Sequence, residues 1–334
     1  MHLRLSLLAL GLAAVASDAH AAADPGRYMS AVLIAESLDP EPGSTVLVGI
    51  QMRPRPGWHG YWSNPGDSGI PPNVRWIAPE GISLGPLMHP APTLLTADGI
   101  SSFVHEGAHL LLSKLSVRRT VAAGTAIPVK AELNWAACTA TQCVPLRTTL
   151  SLELTAGSGA KAPGAAVLRA AEHRLPKRSA DGTFFDDGKR RRLILPASVR
   201  LNPEKVRFFP DSNENFSTAQ GEVVKEQGKL AIVGPSAGAV KSISGVVRDN
   251  SRAWRISFLQ ADPGKGRGMA AIESEPVTKQ SEGAKALPSQ PNPPPPAASQ
   301  TDAKSSLPLA EWMWIAVAAV LLSAATYLVR RRRA

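Results

Sequence analysis

The stretch Val129–Leu154 reads VKAELNWAACTATQCVPLRTTLSLEL, and its spacing decides the fold class. Val129, Ala131, Leu133 and Trp135 fall on one face of a strand, with Lys130, Glu132 and Asn134 on the other. Beyond a short polar turn, Leu150, Leu152 and Leu154 alternate in the same way. Successive side chains of a strand leave opposite faces, so a period of two marks a half-buried β-strand. Cys138 and Cys143 then sit at the tip of a hairpin. The pattern recurs upstream at Val46, Val48, Ile50 and Met52, and downstream at Trp254, Ile256 and Phe258. Such runs, broken by Pro and Gly turns, predict antiparallel β-sandwiches. Only Ala165–His173 reads as a helix.

Composition points the same way. Hydrophobic residues make up 44% of the 334, enough for a sizeable core, which excludes general disorder. Charged residues are only 19%, while 29 Pro and 27 Gly suit short strands and turns better than helix bundles. The net charge of +10 is local: Arg330–Arg333 carry four charges, and Lys189–Arg192 with Arg174, Lys177 and Arg178 carry much of the rest. A block such as Lys189–Arg192 is expected to be a solvated face, and no nucleic-acid partner is expected.

Both ends bear on location. Met1–Ala23 has Arg4 as a short positive region, an apolar run from Leu5 to Ala16 and a small-x-small site at Ala19-His20-Ala21, the pattern of a secretory signal. Trp312–Val329 is nearly all apolar and is followed by Arg330–Arg333, as a span with a cytoplasmic basic flank would be. The expected order is therefore a signal peptide (1–23), a first β-sandwich (24–156), a second (157–272), a Pro-rich linker (273–308), a transmembrane helix (309–329) and a basic tail (330–334). The bulk of the chain is expected outside the cytoplasmic membrane.

Cys138 and Cys143 are the only cysteines. In an exported chain they are expected to pair. Spacing leaves three readings open. A structural staple closes so short a loop that it contributes about 2 kcal/mol or less on loop-entropy grounds. An exchangeable redox couple suits a short, accessible loop between strands. A metal-binding thiol pair is the third.

The segment Pro56-Gly57-Trp58-His59-Gly60-Tyr61-Trp62-Ser63-Asn64-Pro65-Gly66-Asp67-Ser68-Gly69-Ile70-Pro71-Pro72 resembles the hallmark stretch of the N-terminal periplasmic domain of DsbD-like thiol:disulfide interchange proteins. It is most similar to the ScsB branch, linked to suppression of copper sensitivity. Val74-Arg75-Trp76, Pro79-Glu80-Gly81 and His89-Pro90-Ala91-Pro92 continue the likeness, and Trp135-Ala136-Ala137-Cys138 with Cys143-Val144-Pro145 resembles the family's cysteine hairpin. Phe208-Phe209-Pro210 and Ser244-Gly245-Val246-Val247 are similar to that branch's second β domain. The resemblance implies an immunoglobulin-like domain whose Cys138–Cys143 couple passes electrons to periplasmic thioredoxin-fold oxidoreductases, with Cys143 as the attacking thiol. The family continues into a multi-span membrane domain and often a thioredoxin-like domain. Here a single apolar segment follows, so either a separate membrane protein supplies electrons or the relay has been lost.

Two further patterns belong to other function classes. His105-Glu106-Gly107-Ala108-His109 spells the HExxH zinc-hydrolase string, which needs both histidines on one face of a helix and a third ligand downstream. The strand-like context after Leu110 argues against it. His59, Met88 and His89 have the soft chemistry for Cu(I), but scattered surface positions are the expected reading. Trp58, Tyr61, Trp62 and Trp76 are expected to pack core and loops rather than to shield the disulfide. No cofactor and no metal site is expected.

Overall fold

The computed structural model describes residues 24–213, 216, 221–226, 228–236, 238–261 and 275–276. The expected signal peptide, transmembrane helix and basic tail lie outside the described residues, as does the linker apart from Glu275-Pro276. Among the described residues no helix is long and apolar enough to cross a membrane.

The first group of strands is β1 (Met29–Ala35), β2 (Thr45–Pro54), β3 (Gly60–Gly66), β4 (Asn73–Ile77), β5 (Ile82–Leu84), β6 (Thr93–Ala97), β7 (Ile100–His105), β8 (His109–Val117), β9 (Ala126–Cys138) and β10 (Cys143–Thr155). They form three sheets, ordered β1-β2-β8-β5, β10-β9-β4 and β3-β7-β6. The first two face each other across one core. Leu33, Val48, Ile50, Met52, Leu111 and Leu115 come from one side; Val129, Ala131, Leu133, Trp135 and Leu146 come from the other. Burying one face of each strand produces the alternation of β9 and fixes its register, since a one-residue slip would turn that whole set to solvent.

β2 departs from alternation: Leu47, Val48, Gly49 and Ile50 are all buried. The cause is the helix α1 (Ala165–His173), which covers the outer face of this sheet and seats Leu168 against Leu47, Leu110 and Leu112. Gly49 permits the approach, because a Cβ there would stand 2.5 Å from Leu168 Cδ2. Leu168 is fully buried. Its replacement by Ala is expected to cost about 2–5 kcal/mol, read as a lowered urea midpoint with an unchanged slope.

The Gly157–Gly164 stretch leads into this helix, so the chain crosses to the second group of strands only after Leu175. That group is β11 (Lys177–Arg178), β12 (Gly182–Asp186), β13 (Arg190–Ile194), β14 (Arg207–Pro210), β15 (Glu222–Glu226), β16 (Lys229–Pro235), β17 (Ser242–Arg248), β18 (Ala253–Gln260) and β19 (Glu275–Pro276). Instead of two separate sheets, these strands hydrogen-bond into one sheet ordered β14-β17-β18-β12-β13-β16-β15-β19, with β11 beside β18. The sheet curls around its own core. Phe216 shows this directly: its ring packs against Phe208 of β14 at 5.4 Å and lies over Gly234 of β16, near the opposite end of the strand order. Glu275-Pro276, expected in the linker, pairs with β15.

The basic block is not wholly solvated. β13 turns Arg191 inward, where it is fully buried, pairs with Asp186 and lies 5.5 Å from the centre of the Phe184 ring. Arg190 stays exposed. Alternation in a strand, not the clustering of charge, decides which arginine meets water.

The two strand groups belong to one compact unit. Trp62 and Phe103 of the first pack edge-on against Phe209 of the second, with Phe103 and Phe209 centred 5.2 Å apart. Asn64 Nδ2 donates to the Pro210 carbonyl at 2.8 Å, and Arg248 Nη1 donates to the Pro92 carbonyl at 2.8 Å. This contact holds the sheet β3-β7-β6 from behind, on the side away from the cysteines.

Candidate redox site

β9 and β10 run antiparallel over their whole length, and Cys138 and Cys143 are the last register partners before the turn. Thr139–Gln142 closes the loop, with the Thr139 N–H donating to the Gln142 carbonyl at 2.8 Å. The two cysteines form a disulfide, with Cα atoms 4.1 Å apart. Their surroundings differ sharply. Cys138 is fully buried, in a cluster with Tyr61, Leu95, Val104 and Ala136, whereas Cys143 is exposed.

A cavity of about 230 Å³ opens beside the disulfide. Cys143 lines it together with His59, Tyr61, Ser68, Asp98 and Ile100. Asp98 and Ile100 come from the β6–β7 hairpin, whose two-residue turn Asp98-Gly99 has both residues at positive φ (50° and 79°). That is the twist-matched turn that an Asp-Gly pair favours, and it places one carboxylate and one exposed isoleucine at the rim. Asp98 is the one charged group among the described residues lining this cavity.

Tyr61 and His59 reach the cysteines from the Trp-rich stretch, about 80 residues earlier in the chain. The Tyr61 hydroxyl lies 3.7 Å from Cys143 Sγ, and because a disulfide sulfur carries no proton, the hydroxyl donates. Burial pushes the Tyr61 phenol up from its ordinary value. His59 and Cys138 exchange both backbone hydrogen bonds, at 2.9 and 3.0 Å, as directly opposed residues of an antiparallel pair do. The His59 ring meets Tyr61 edge-on at 5.5 Å, and burial lowers its pKa to about 4, so the imidazole is neutral at pH 7.

The structure sorts the other candidates. Tyr61 packs in a buried cluster, as expected, and in addition its hydroxyl reaches the disulfide. Trp58 and Trp76 pack against the first core, and Trp62 packs into the contact between strand groups. His59 lies at the cysteines, while Met88 and His89 line a different cavity, so the three do not converge. The HExxH string is a hairpin and not a helix: His105 ends β7, Glu106–Ala108 turn, and His109 opens β8. Its histidine rings stack 4.3 Å apart. Among the described residues no three His, Cys, Asp or Glu side chains are grouped to hold a metal ion.

The contact of Tyr61 and His59 with the cysteines eludes sequence reasoning because it depends on how β3 lies over the end of β9. The one available signal was that the Trp-rich stretch and the cysteine hairpin both resembled the same family.

Comparison with known proteins agrees with this geometry. No curated protein sequence matches the chain. The ScsB N-terminal periplasmic domain from Proteus mirabilis superposes with a TM-score of 0.52 at 16% identity, over 69% of this chain and 92% of that one. At that identity the likeness establishes the fold, and it extends beyond the first strand group. The DsbD N-terminal domain from Neisseria meningitidis, in its reduced form, is also matched, at 12% identity over 42% of this chain and 93% of that one, with a TM-score of 0.23. The family described as thiol:disulfide interchange protein DsbD, N-terminal, matches residues 33–155, which contain both cysteines, His59 and Tyr61. Over residues 33–155 the chain is therefore similar to the N-terminal domain of DsbD thiol:disulfide interchange proteins.

Proposed function

We propose that the chain is a membrane-anchored periplasmic protein that exchanges electrons between its Cys138–Cys143 couple and thioredoxin-fold oxidoreductases. The observation that carries this reading is the asymmetry of the pair, with Cys143 exposed at a cavity and Cys138 fully buried behind it. A staple has no need of one accessible sulfur, whereas thiol–disulfide exchange requires it. In the reaction, the Cys143 thiolate attacks one sulfur of the partner's disulfide and forms a mixed disulfide. The partner's other sulfur leaves with the electron pair and takes up a proton. Cys138 then attacks Cys143 Sγ, the Cys143–partner bond breaks, and the partner departs reduced while the Cys138–Cys143 bond re-forms. Two electrons from a donor dithiol return the couple to its reduced form.

The layout that goes with this role is two β domains (24–156 and 157–272) on a Pro-rich stalk, with a single C-terminal span. Reporter fusions before Trp312 are expected to be active only outside the cytoplasm; a cytoplasmic signal there would reverse the topology. The reduction potential of the couple tests the chemistry. Values of about −120 to −270 mV are those of oxidoreductases, whereas structural bonds lie below about −300 mV. A value in the lower range would make the protein an anchored adaptor with a structural disulfide.

A further inference from the structure

The cysteine loop itself carries no acid–base group, yet resolution of a mixed disulfide needs the buried Cys138 thiol to lose its proton. We propose that His59 is the acid–base partner of Cys138, taking the thiol proton as Cys138 attacks and returning it to the partner's departing sulfur. The proposal rests on the exchange reading above.

Three observations carry it. First, His59 is directly opposed to Cys138 across the strand pair, with both backbone hydrogen bonds made. Side chains so opposed stand on the same face with Cβ atoms roughly 5 Å apart, within reach of an imidazole. Second, His59 lines the same cavity as Cys143, where a partner's sulfur must enter. Third, His59 is buried, and burial alone, with no hydrogen bond to the ring, accounts for its lowered pKa. Burial also keeps it neutral at pH 7, with a lone pair free for a proton.

The groups facing it are few. Tyr61 stands edge-on, with its hydroxyl engaged by Cys143 Sγ and Ser68. Asp98 lines the same cavity, and a carboxylate there disfavours a free thiolate. That suits a concerted transfer better than a standing thiolate. The step balances as follows. The Cys138 S–H proton passes to His59 as the Cys138–Cys143 bond forms; the electron pair of the broken Cys143–partner bond stays on the partner's sulfur. The imidazolium then gives that sulfur its proton, leaving a neutral His59, a protein disulfide and a partner thiol.

The test uses the reduced full chain and the aromatic disulfide 5,5′-dithiobis(2-nitrobenzoate), which releases one coloured thiolate when Cys143 attacks and a second when Cys138 resolves. In His59→Gln the second release is expected to slow at least about tenfold at pH 7, as loss of a general base does, with the first changing less than about threefold. Its pH profile should move upward, and added imidazole should restore the rate. His59→Phe, which keeps the ring's bulk, should behave like His59→Gln but without the amide, so that a packing defect is separated from a proton-transfer defect. Equal second-phase rates and pH profiles in wild type and both variants would overturn the role of His59. Failure of the exchange reading shows elsewhere, as a reduction potential in the structural range, because this probe reacts with any accessible thiol pair.

Discussion

Reduced Cys138→Ser protein is expected to form a stable covalent complex with an oxidised thioredoxin-fold partner, whereas Cys143→Ser is not. The argument is one of access. In Cys138→Ser the exposed Cys143 still attacks, but no second thiol remains to resolve the mixed disulfide, so the complex accumulates. In Cys143→Ser the remaining thiol is fully buried among Tyr61, Leu95, Val104 and Ala136, and a partner's sulfur cannot reach it. Non-reducing gels should show at least about tenfold more complex for the first variant, a margin set by thiol access. The opposite pattern would exchange the two roles. Absence of complex from both variants, with a wild-type bond that resists such partners, would leave the disulfide as a staple.

How far the sequence discloses this site depends on the range of the contacts. The Cys138–Cys143 hairpin is local: alternation in Val129–Trp135 and Leu150–Leu154 places both strands, and β9 and β10 pair in the register that puts the cysteines opposite each other. The helix is legible for the same reason, since Ala165–His173 is its own signal. What the helix covers is not legible. β2 reads as a strand with one buried face, and only tertiary packing by Leu168 shows why Leu47 on the other face is buried too.

Longer-range features are less visible still. Phe209 meets Trp62 and Phe103 across more than a hundred residues, and nothing in the periodicity of either segment encodes that partner. The second strand group shows the same limit. Alternation identifies its strands, but a curled sheet closed by Phe216 and a sandwich of two sheets bury the same faces. Arg191 is the sharpest case: a run of four basic residues suggests solvent, while the strand period sends this one inward to Asp186.

The last expected result is an acid-sensitive fold. His59, His89, His105 and His109 are each held below the ordinary histidine value of 6.5. Burial is the main cause for all four. His109 adds to it at His89 and His105, and so do Arg255 beside His89 and Arg248 beside His105. The Nδ1 of His89 and the Nε2 of His105 have no hydrogen-bond partner among the described residues, so nothing offsets the cost of charging them. The sign follows from linkage. Below pH 6.5 the unfolded chain takes up protons on these histidines and the folded chain does not, so stability falls as pH drops. For a group held near 4, such as His89, the loss by pH 4 is about 3 kcal/mol. Carboxylates act in a lower window. Burial raises Asp249, but the N–H groups of Asn202, Ser251 and Arg252 outweigh it and hold the acid near 2, so its contribution is lost only below its ordinary value of 3.8. Urea midpoints measured from pH 7 to pH 4 should therefore fall steeply in wild type, and less steeply in His89→Gln and His105→Gln, whatever those changes cost at pH 7. A flat wild-type profile, or variants that keep the full wild-type slope, would show that these histidines do not set the acid limit of the fold.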